Sequence, residues 1–183
     1  VVPDTAAGRQ FTRADFPAPE LPVLTSFPAG VVIDEAFAGG PLALIADQRT
    51  LDGATVAIDA IYQRTGTSFS DGVAIVNGLT VNGSLTVESL PGLSPLVRVL
   101  GSQTIGGSGE IVLDQYGAPG ALIPVRLTLR ADGAEANLLT FGPDITVRGN
   151  GVIQAPNGHS LRFEGAVIAE GGTLELSNID NGD

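Results

Sequence analysis

The sequence offers few side chains that can do chemistry. His159 is the only histidine, and it follows Pro156, Asn157 and Gly158 in a turn-forming stretch. Catalysis by a serine nucleophile needs an imidazole held beside an activated hydroxyl and oriented by an acid. A single histidine is also unable to anchor a histidine-rich metal site. We therefore interpret His159 as a solvent-exposed turn residue.

A second possible chemistry combines arginines with carboxylates. Hydrolases and lyases that act on polysaccharides need paired carboxylates, or an acid with a cation, on one face. The charged residues predicted to point outward from strands are Arg98, Arg126, Arg130, Arg148, Arg162, Glu110, Asp144 and Glu164. Charges on an outer sheet face are usually solvated, and their pairs contribute only about 0.2–1 kcal/mol. We expect a non-enzymatic protein, with a carbohydrate-active enzyme as an alternative.

Oxygen ligands cluster in the last stretch, residues 177–183. Calcium takes six to eight oxygens and tolerates irregular loops, although the spacing here matches no EF-hand. Asp180 and Asp183 are the candidate calcium ligands. The sequence predicts no other cofactor.

Charge and composition exclude several classes of partner. The net charge is −11, and the sequence contains no Lys, Cys, Met or Trp. Phosphate backbones are bound by clustered Lys and Arg, so we do not expect a nucleic-acid partner. No apolar run approaches the ~20 residues of a membrane helix, so we expect no membrane insertion. Without Cys there is neither a disulfide nor a thiolate metal site.

The most regular stretch is residues 144–154, where inward and outward positions alternate. Its odd positions are Ile145, Val147, Gly149, Gly151 and Ile153, and its even positions are mostly polar. A period of two predicts a strand with one buried face. An eight-residue stretch at 104–111 aligns with 146–153, with glycine at the same two positions. The core must be aliphatic, because only nine residues are aromatic.

The Asn-Gly pairs allow the direction of the chain to be tested. Asn-Gly usually marks a two-residue hairpin. A hairpin at Asn82-Gly83 would oppose Val81 to Ser84 and Thr80 to Leu85, so that apolar and polar residues would share one face. A chain that continues through these points keeps its apolar residues on one side. We therefore predict bends in a continuing path at Gly83, Gly107, Gly109, Gly149 and Gly151.

Related motifs recur along the chain. Stretches beginning at Thr80, Thr104 and Thr146 lie 24 and then 42 residues apart, which suggests a period of about 21 to 24 residues. The sequence thus predicts an all-β parallel solenoid over residues 31–183. The alternative is an antiparallel β-sandwich or jelly roll.

Residues 1–30 differ from the rest and are expected to form an extended, proline-rich arm. Prolines disfavour a central strand, while Phe11, Phe16 and Phe27 are aromatic side chains that need a docking surface. That surface lies either on the same domain or on a neighbouring subunit. The first residues, Val1-Val2, fit a mature secreted chain or a fragment of a longer one.

Residues 78–87, 146–153 and 161–176 resemble coils of bacterial secreted parallel β-helices such as autotransporter passengers and adhesins. The likeness lies in short β-runs, small inward residues and Asn-Gly corners. The resemblance implies an extracellular or cell-surface structural protein. An uncovered coil end invites another chain, so we expect head-to-tail assembly into a fibre or a surface or matrix layer, with the arm contacting a neighbour. The alternative is an adhesin segment that binds glycans or host surfaces.

Overall fold

The computed structural model describes residues 23–24, 26–64, 72–89, 93, 95–115, 126–130, 136–156 and 158–180. Within these ranges the chain forms one short helix, α1, and fifteen strands. The strands are β1 (Val23–Leu24), β2 (Val32–Ile33), β3 (Leu42–Ile45), β4 (Thr50–Val56), β5 (Asp59–Gln63), β6 (Val73–Val81), β7 (Ser84–Ser89), β8 (Leu96–Leu100), β9 (Gln103–Gly106), β10 (Glu110–Gln115), β11 (Arg126–Arg130), β12 (Leu138–Phe141), β13 (Thr146–Gln154), β14 (Ser160–Phe163) and β15 (Ala166–Ser177).

All fourteen strand pairings are parallel. Parallel pairing means that the chain must travel around the molecule before it returns to lie on the preceding rung. The predicted parallel β-solenoid is therefore confirmed, and it makes about five turns. The antiparallel sandwich or jelly roll is excluded for the described strands.

Three stacks of strands surround the core. Sheet 1 contains β1, β3, β5, β7, β10 and the first halves of β13 and β15. Sheet 2 contains β2, the second halves of β4 and β6, then β9, β12 and β14. Sheet 3 contains the first halves of β4 and β6, then β8, β11 and the second halves of β13 and β15. Each full coil visits sheets 3, 2 and 1 in that order.

The repeat length can be followed along one row of sheet 3. The stacked residues are Thr50, Ala74, Arg98, Thr128, Gln154 and Ser177. Successive numbers differ by 24, 24, 30, 26 and 23 residues. Two steps equal the 24-residue motif spacing, and a third is one residue shorter. The two longer steps are those that contain residues 116–125 and 131–135, which lie outside the described ranges.

Alternation along each strand fills the core with aliphatic side chains. In sheet 1 the inward row contains Ala60, Leu85, Ile111 and Val147, each with at most 3% of its surface exposed. In sheet 2, Phe141 stacks on Phe163 in register, with ring centroids 4.7 Å apart. Stacked coils therefore give each buried residue a partner directly above and below it, which the period of two predicts.

Two local elements were left open or missed by the sequence pattern. The sequence of residues 42–51 fits either a short helix or a strand over residues 42–46, and the structure forms the strand, β3, whose four residues are all buried. The helix α1 (Glu35–Ala38) forms earlier, where the Asp34 side chain accepts a hydrogen bond of 2.8 Å from the Phe37 amide. Gly39 ends it in the left-handed conformation. Because β3 is buried on both faces, its sequence lacks the alternation of apolar and polar residues that would have identified it as a strand.

The predicted equivalence of residues 104–111 and 146–153 is wrong in register. Thr146 stacks on Glu110 in sheet 1, whereas Thr104 stacks on Thr140 in sheet 2. Both stretches begin with a polar residue and turn a corner with glycines. The two glycine pairs belong to different corners, so similar local chemistry produced a false alignment.

The glycines predicted as bends lie at corners of the coil. Gly83, Gly107 and Gly109 lie between sheets 2 and 1, while Gly149 and Gly151 lie where β13 passes from sheet 1 to sheet 3. A Cβ on Gly109 would collide with the backbone oxygen of Gly83 on the coil below. Neighbouring corners approach too closely for a side chain, which is why the bends need glycine.

Candidate functional site

The arginines predicted to point outward lie in three different sheets. Arg148 projects from sheet 1, Arg162 from sheet 2 and Arg98 from sheet 3. Arg126 and Arg130 belong to β11, also in sheet 3. Asp144 and Glu164 are exposed at corners. Three of the five arginines thus lie on the neighbouring strands β8 and β11 of sheet 3, and the other two lie on sheets 1 and 2.

Arg148 is the centre of one well-defined charged cluster on sheet 1. Its Nε and Nη2 donate to the two oxygens of Glu110, each at 2.7 Å, and its Nη1 donates to Glu170 at 2.9 Å. Glu110 was predicted among the outward charges, whereas Glu170 was missed. The coil spacing was the available signal, because all three residues lie on successive rungs of the same sheet.

The electrostatics of this cluster are those of a satisfied ion pair. The hydrogen bond from Arg148 lowers the pKa of Glu110, and the same bond raises the pKa of Arg148. Burial raises the pKa of the nearby Asp114, although Arg148 opposes that shift. A guanidinium that already holds two carboxylates has little capacity left to bind an anionic substrate. The cluster's chemistry favours a structural role in joining three rungs.

His159 has a structural partner. Its Nδ1 accepts a hydrogen bond of 3.0 Å from the Asn137 backbone amide, and its own amide donates to the Pro156 oxygen at 3.0 Å. This fixes the imidazole as an acceptor at Nδ1. The side chain is partly buried rather than fully exposed, so the predicted solvent-exposed turn residue is instead a link between coils. Asn157 lies outside the described residues.

The candidate calcium ligands are only partly described. The Asp180 carboxylate accepts a hydrogen bond of 2.5 Å from Arg162 and forms an ion pair with that guanidinium. Asp183 lies outside the described residues. Within the described ranges no group of three or more acidic, histidine or cysteine side chains is arranged to hold a metal ion. Calcium binding at Asp180 and Asp183 stays a prediction, and Arg162 would compete with it.

A row of stacked polar residues lies near the C-terminal ends of β5, β7 and β10 in sheet 1, and it was not predicted. Gln63 and Glu88 stack in register and share a hydrogen bond, and both are almost fully buried. Asp114 occupies the next rung. Spacings of 25 and 26 residues between these three positions follow the coil length, so the repeat itself was the signal.

A shallow groove of about 590 Å³ crosses the outer surface where sheets 3 and 2 meet. Its polar lining is uncharged and includes Asn77, Ser102, Gln103, Thr104 and Thr140. Gln103 is engaged, since its Oε1 accepts from the Gly78 amide at 2.6 Å. The hydroxyl groups of Thr104 and Thr140 can each donate and accept a hydrogen bond. The groove therefore offers hydrogen-bonding groups that suit a neutral polar ligand.

The exposed large apolar side chains belong to the first and last described coils. The large hydrophobic side chains that are exposed in the described part of the chain are Val23, Val32, Phe37, Val167, Ile168 and Ile179. The first three belong to the first coil and the others to the last described coil. Strand β15 pairs only with β13 among the described strands, so its other edge has no described partner. The sequence led us to expect an uncovered coil end, but it did not identify the exposed apolar side chains of the first coil.

The predicted assembly arm is described only in its last residues. Val23–Leu24 pairs with β3, and Phe27 packs against the solenoid core with its ring centroid 6.2 Å from that of Phe37. These residues therefore pack on their own domain. Phe11 and Phe16 lie outside the described residues.

The described strands define the class of protein as a parallel β-solenoid. No protein-family model, curated protein or solved structure matches the chain. None of the described helices has the length and apolar character needed to cross a membrane.

Proposed function

We propose that this is a non-enzymatic structural protein of the extracellular space or cell surface, whose copies stack end to end. The product is a fibre or a surface or matrix layer. The observation that carries the proposal is the placement of the exposed large apolar side chains in the described chain, which lie on its first and last coils. Large apolar side chains that are exposed, among the described residues, only on the first and last coils support a head-to-tail contact, which propagates when it does not close.

The open edge of β15 supports the same proposal. An unpaired strand offers a row of backbone donors and acceptors to an added strand. In an end-to-end stack the first coil of one copy faces β15 of the next copy. Residues 1–22 join the solenoid at Val23, on that first coil, so we propose that part of this arm contacts the neighbouring copy.

The extracellular location rests on the resemblance to secreted bacterial β-helices and on composition. A chain without Cys has no thiol to oxidise outside the cell, and an acidic surface free of Lys keeps single copies soluble. Adhesion or a place in a biofilm matrix is the role that such a fibre would serve.

Electron microscopy with sedimentation tests the proposal. We expect the full chain to form fibres of uniform width at high concentration. Val167→Asp puts a charge on the open end and should leave monomers. Ser108→Asp adds the same charge at an exposed corner in the middle of the solenoid and should leave the fibres unchanged. Monomers of the unaltered chain at every concentration, or fibres from Val167→Asp, would contradict end-to-end assembly.

A glycan-binding module is the second candidate, and the uncharged groove favours it. Hydroxyl and amide groups in a shallow surface groove are able to bind sugar hydroxyls. Glycan-array binding by monomers is the test, with Thr104→Val and Thr140→Val expected to abolish it. Thr86→Val on sheet 1 is the matched control. Binding that survives both groove variants would remove this candidate.

A further inference from the structure

Three arginines lie close together on the outer face of sheet 3. Arg98 of β8 pairs in register with Thr128 of β11, and Arg126 and Arg130 lie two residues to either side of Thr128. Both chain neighbours of Arg98 are buried in the core, so alternation places Arg98 on the outer face, in one row with the Thr128 position. Arg126 and Arg130 share that face and are about 13 Å apart along their strand. We call these three arginines the arginine face.

The arginine face contains a cation that no neighbour neutralises. Arg148 and Arg162 bind carboxylates, whereas Arg98 makes no hydrogen bond or ion pair with another residue of the described chain. Its Nε is buried without a partner in that part of the chain. The strands β8 and β11 contain no acidic residue. A buried donor of a charged group that lacks a partner is unfavourable, so a carboxylate that reached this face would stabilise it.

Carboxylates without partners lie on the opposite side of the solenoid. Asp144 and Glu164 are both exposed at the corner between sheets 2 and 1, on consecutive coils. Neither side chain makes a hydrogen bond or an ion pair within the described residues. Because three sheets surround one core, the corner between sheets 2 and 1 lies across that core from sheet 3. We call these two residues the acidic corner.

The arginine face and the acidic corner also lie at the same level along the solenoid axis. Strands β11, β12 and the first half of β13 follow one another in one coil, and Asp144 lies just before β13. Asp144 therefore shares a coil with Arg126 and Arg130. Arg98 belongs to the coil before and Glu164 to the coil after, each about 5 Å away along the axis. A second copy that is shifted sideways without rotation would bring its acidic corner to the arginine face of the first.

We propose that the arginine face binds the acidic corner of a second copy of this chain, with the two solenoids side by side and their axes parallel. The contact joins different surfaces of the two copies, so it does not close and can continue as a row. Exposed ion pairs are individually weak. Copies that are also stacked end to end would repeat the contact along the fibre, which multiplies its strength and joins fibres into a layer. The inference thus extends the proposed function, but the contact itself needs no end-to-end stacking.

The contact should depend on salt in the opposite sense to the apolar ends. The net charge of −11 repels whole copies at long range, whereas the ion pairs act at short range. The screening length is about 10 Å at 0.1 M salt and about 3 Å at 1 M. Long-range repulsion is therefore largely screened at 0.1 M, and 1 M salt then weakens the ion pairs. Side-by-side association should be lost between these two concentrations.

Cross-linking of single thiols tests the contact, because the sequence has no cysteine. Leu100→Cys places a thiol beside the arginine face, and Ser108→Cys places one at the corner of the acidic corner, one coil earlier. Both variants also carry Val167→Asp, which removes the end contact of the proposed function. With a short bis-maleimide at 0.1 M salt and high protein concentration, mixed Leu100→Cys and Ser108→Cys chains should give heterodimers. Their yield should exceed that of Ser108→Cys homodimers at least about threefold, and the excess should disappear at 1 M salt.

Charge reversal identifies the partner surface. Arg98→Glu on the Leu100→Cys chain should lower the heterodimer yield at least about threefold, and Arg98→Gln, a milder variant, should lower it less. Asp144→Arg on the Ser108→Cys chain should restore the yield with Arg98→Glu, which also shows that the reversed chain is folded. Glu35→Arg makes the same change in net charge on the first coil and should not restore it.

Three results would overturn the proposal. Equal yields of heterodimers and Ser108→Cys homodimers would mean that copies meet without a preferred side. A yield that Arg98→Glu and Arg98→Gln leave unchanged would remove the arginine face from the contact. A loss that Asp144→Arg does not restore would assign that face to a different anion. Because Val167→Asp is present throughout, none of these results depends on whether copies stack end to end.

Discussion

Val167 lies directly on Val147 in register, yet Val147 is fully buried and Val167 is 37% exposed. Both side chains occupy the inward row of sheet 1, which also contains Ile111 and Leu85. Alternation alone would bury them equally. The difference arises because each inward side chain is covered by the rungs on both sides, and β15 has a described rung on one side only.

Truncating these two valines should have unequal effects on the monomer. Val147→Ala removes two methyl groups from a packed site and should lower the free energy of unfolding by about 2 kcal/mol. Val167→Ala should cost less than about 1 kcal/mol, because its side chain is already partly in water. Urea unfolding of dilute protein measures both. Equal losses would show that the end of the solenoid is covered in the monomer.

The adjacent glycines Gly106 and Gly107 should respond differently to alanine. A Cβ on Gly107 would collide with the backbone of Val81, and its φ of +106° is one that alanine rarely adopts. Gly106 has open space at the same position. We expect Gly107→Ala to destabilise the fold by about 1–3 kcal/mol and Gly106→Ala to change stability by less than about 1 kcal/mol. Urea midpoints of the two variants decide, and similar midpoints would contradict the corner geometry.

The sequence predicted the direction of the chain because of one geometric fact. A hairpin at Asn82-Gly83 would have mixed faces, and the structure indeed continues, with the Asn82 amide donating to the Val56 oxygen at 2.8 Å on the coil below. The period of two was enough for that conclusion. It was not enough for register, because the Gly-rich corners after Thr104 and Thr146 look alike although they join different sheets.

The candidate site was less predictable, for a physical reason. Outward residues were identified by alternation, but which face they occupy depends on the length of every intervening corner. Arg148 and Glu110 were both predicted to point outward. To predict their contact, one would have had to know that the 38 residues between them make a single coil, although most coils are shorter. The Gln63–Glu88 pair was missed because buried polar residues break the apolar pattern that defines a strand.

The Glu110–Arg148 ion pair should give stability a measurable dependence on pH. Arg148 holds the pKa of Glu110 below its ordinary 4.5, so the stabilisation is complete above that value and is lost as the pH falls through the lower, folded-state pKa. Glu110→Gln should cost about 0.5–1 kcal/mol near neutral pH, a modest value because the pair is partly exposed. Denaturation at several pH values measures it. The cost should vanish in strong acid, and a cost that persists there would contradict the pairing.

Asp114 should affect the pH dependence of stability in the opposite direction to Glu110. Burial raises its pKa above the ordinary 3.8, so the folded state binds its proton more tightly, and this group's contribution to stability falls as the pH rises through that window. Asp114→Asn should therefore stabilise the protein at neutral pH, by less than about 1 kcal/mol after solvent screening. The gain should disappear below the ordinary pKa. Asp144→Asn, at an exposed corner, is the control variant.

Added salt should promote end-to-end assembly. The first coil presents Asp34 and Glu35 and the last presents Glu175, so copies with a net charge of −11 repel one another as their ends approach. The screening length falls from about 30 Å at 0.01 M salt to about 3 Å at 1 M, while apolar burial is not weakened. Light scattering and electron microscopy across that range should show longer fibres at high salt. Glu175→Gln should lower the salt required, whereas Asp59→Asn in the middle of the solenoid should change it less. Fibres that dissolve as salt rises would mean that attractive charge pairs, rather than apolar ends, hold the copies together.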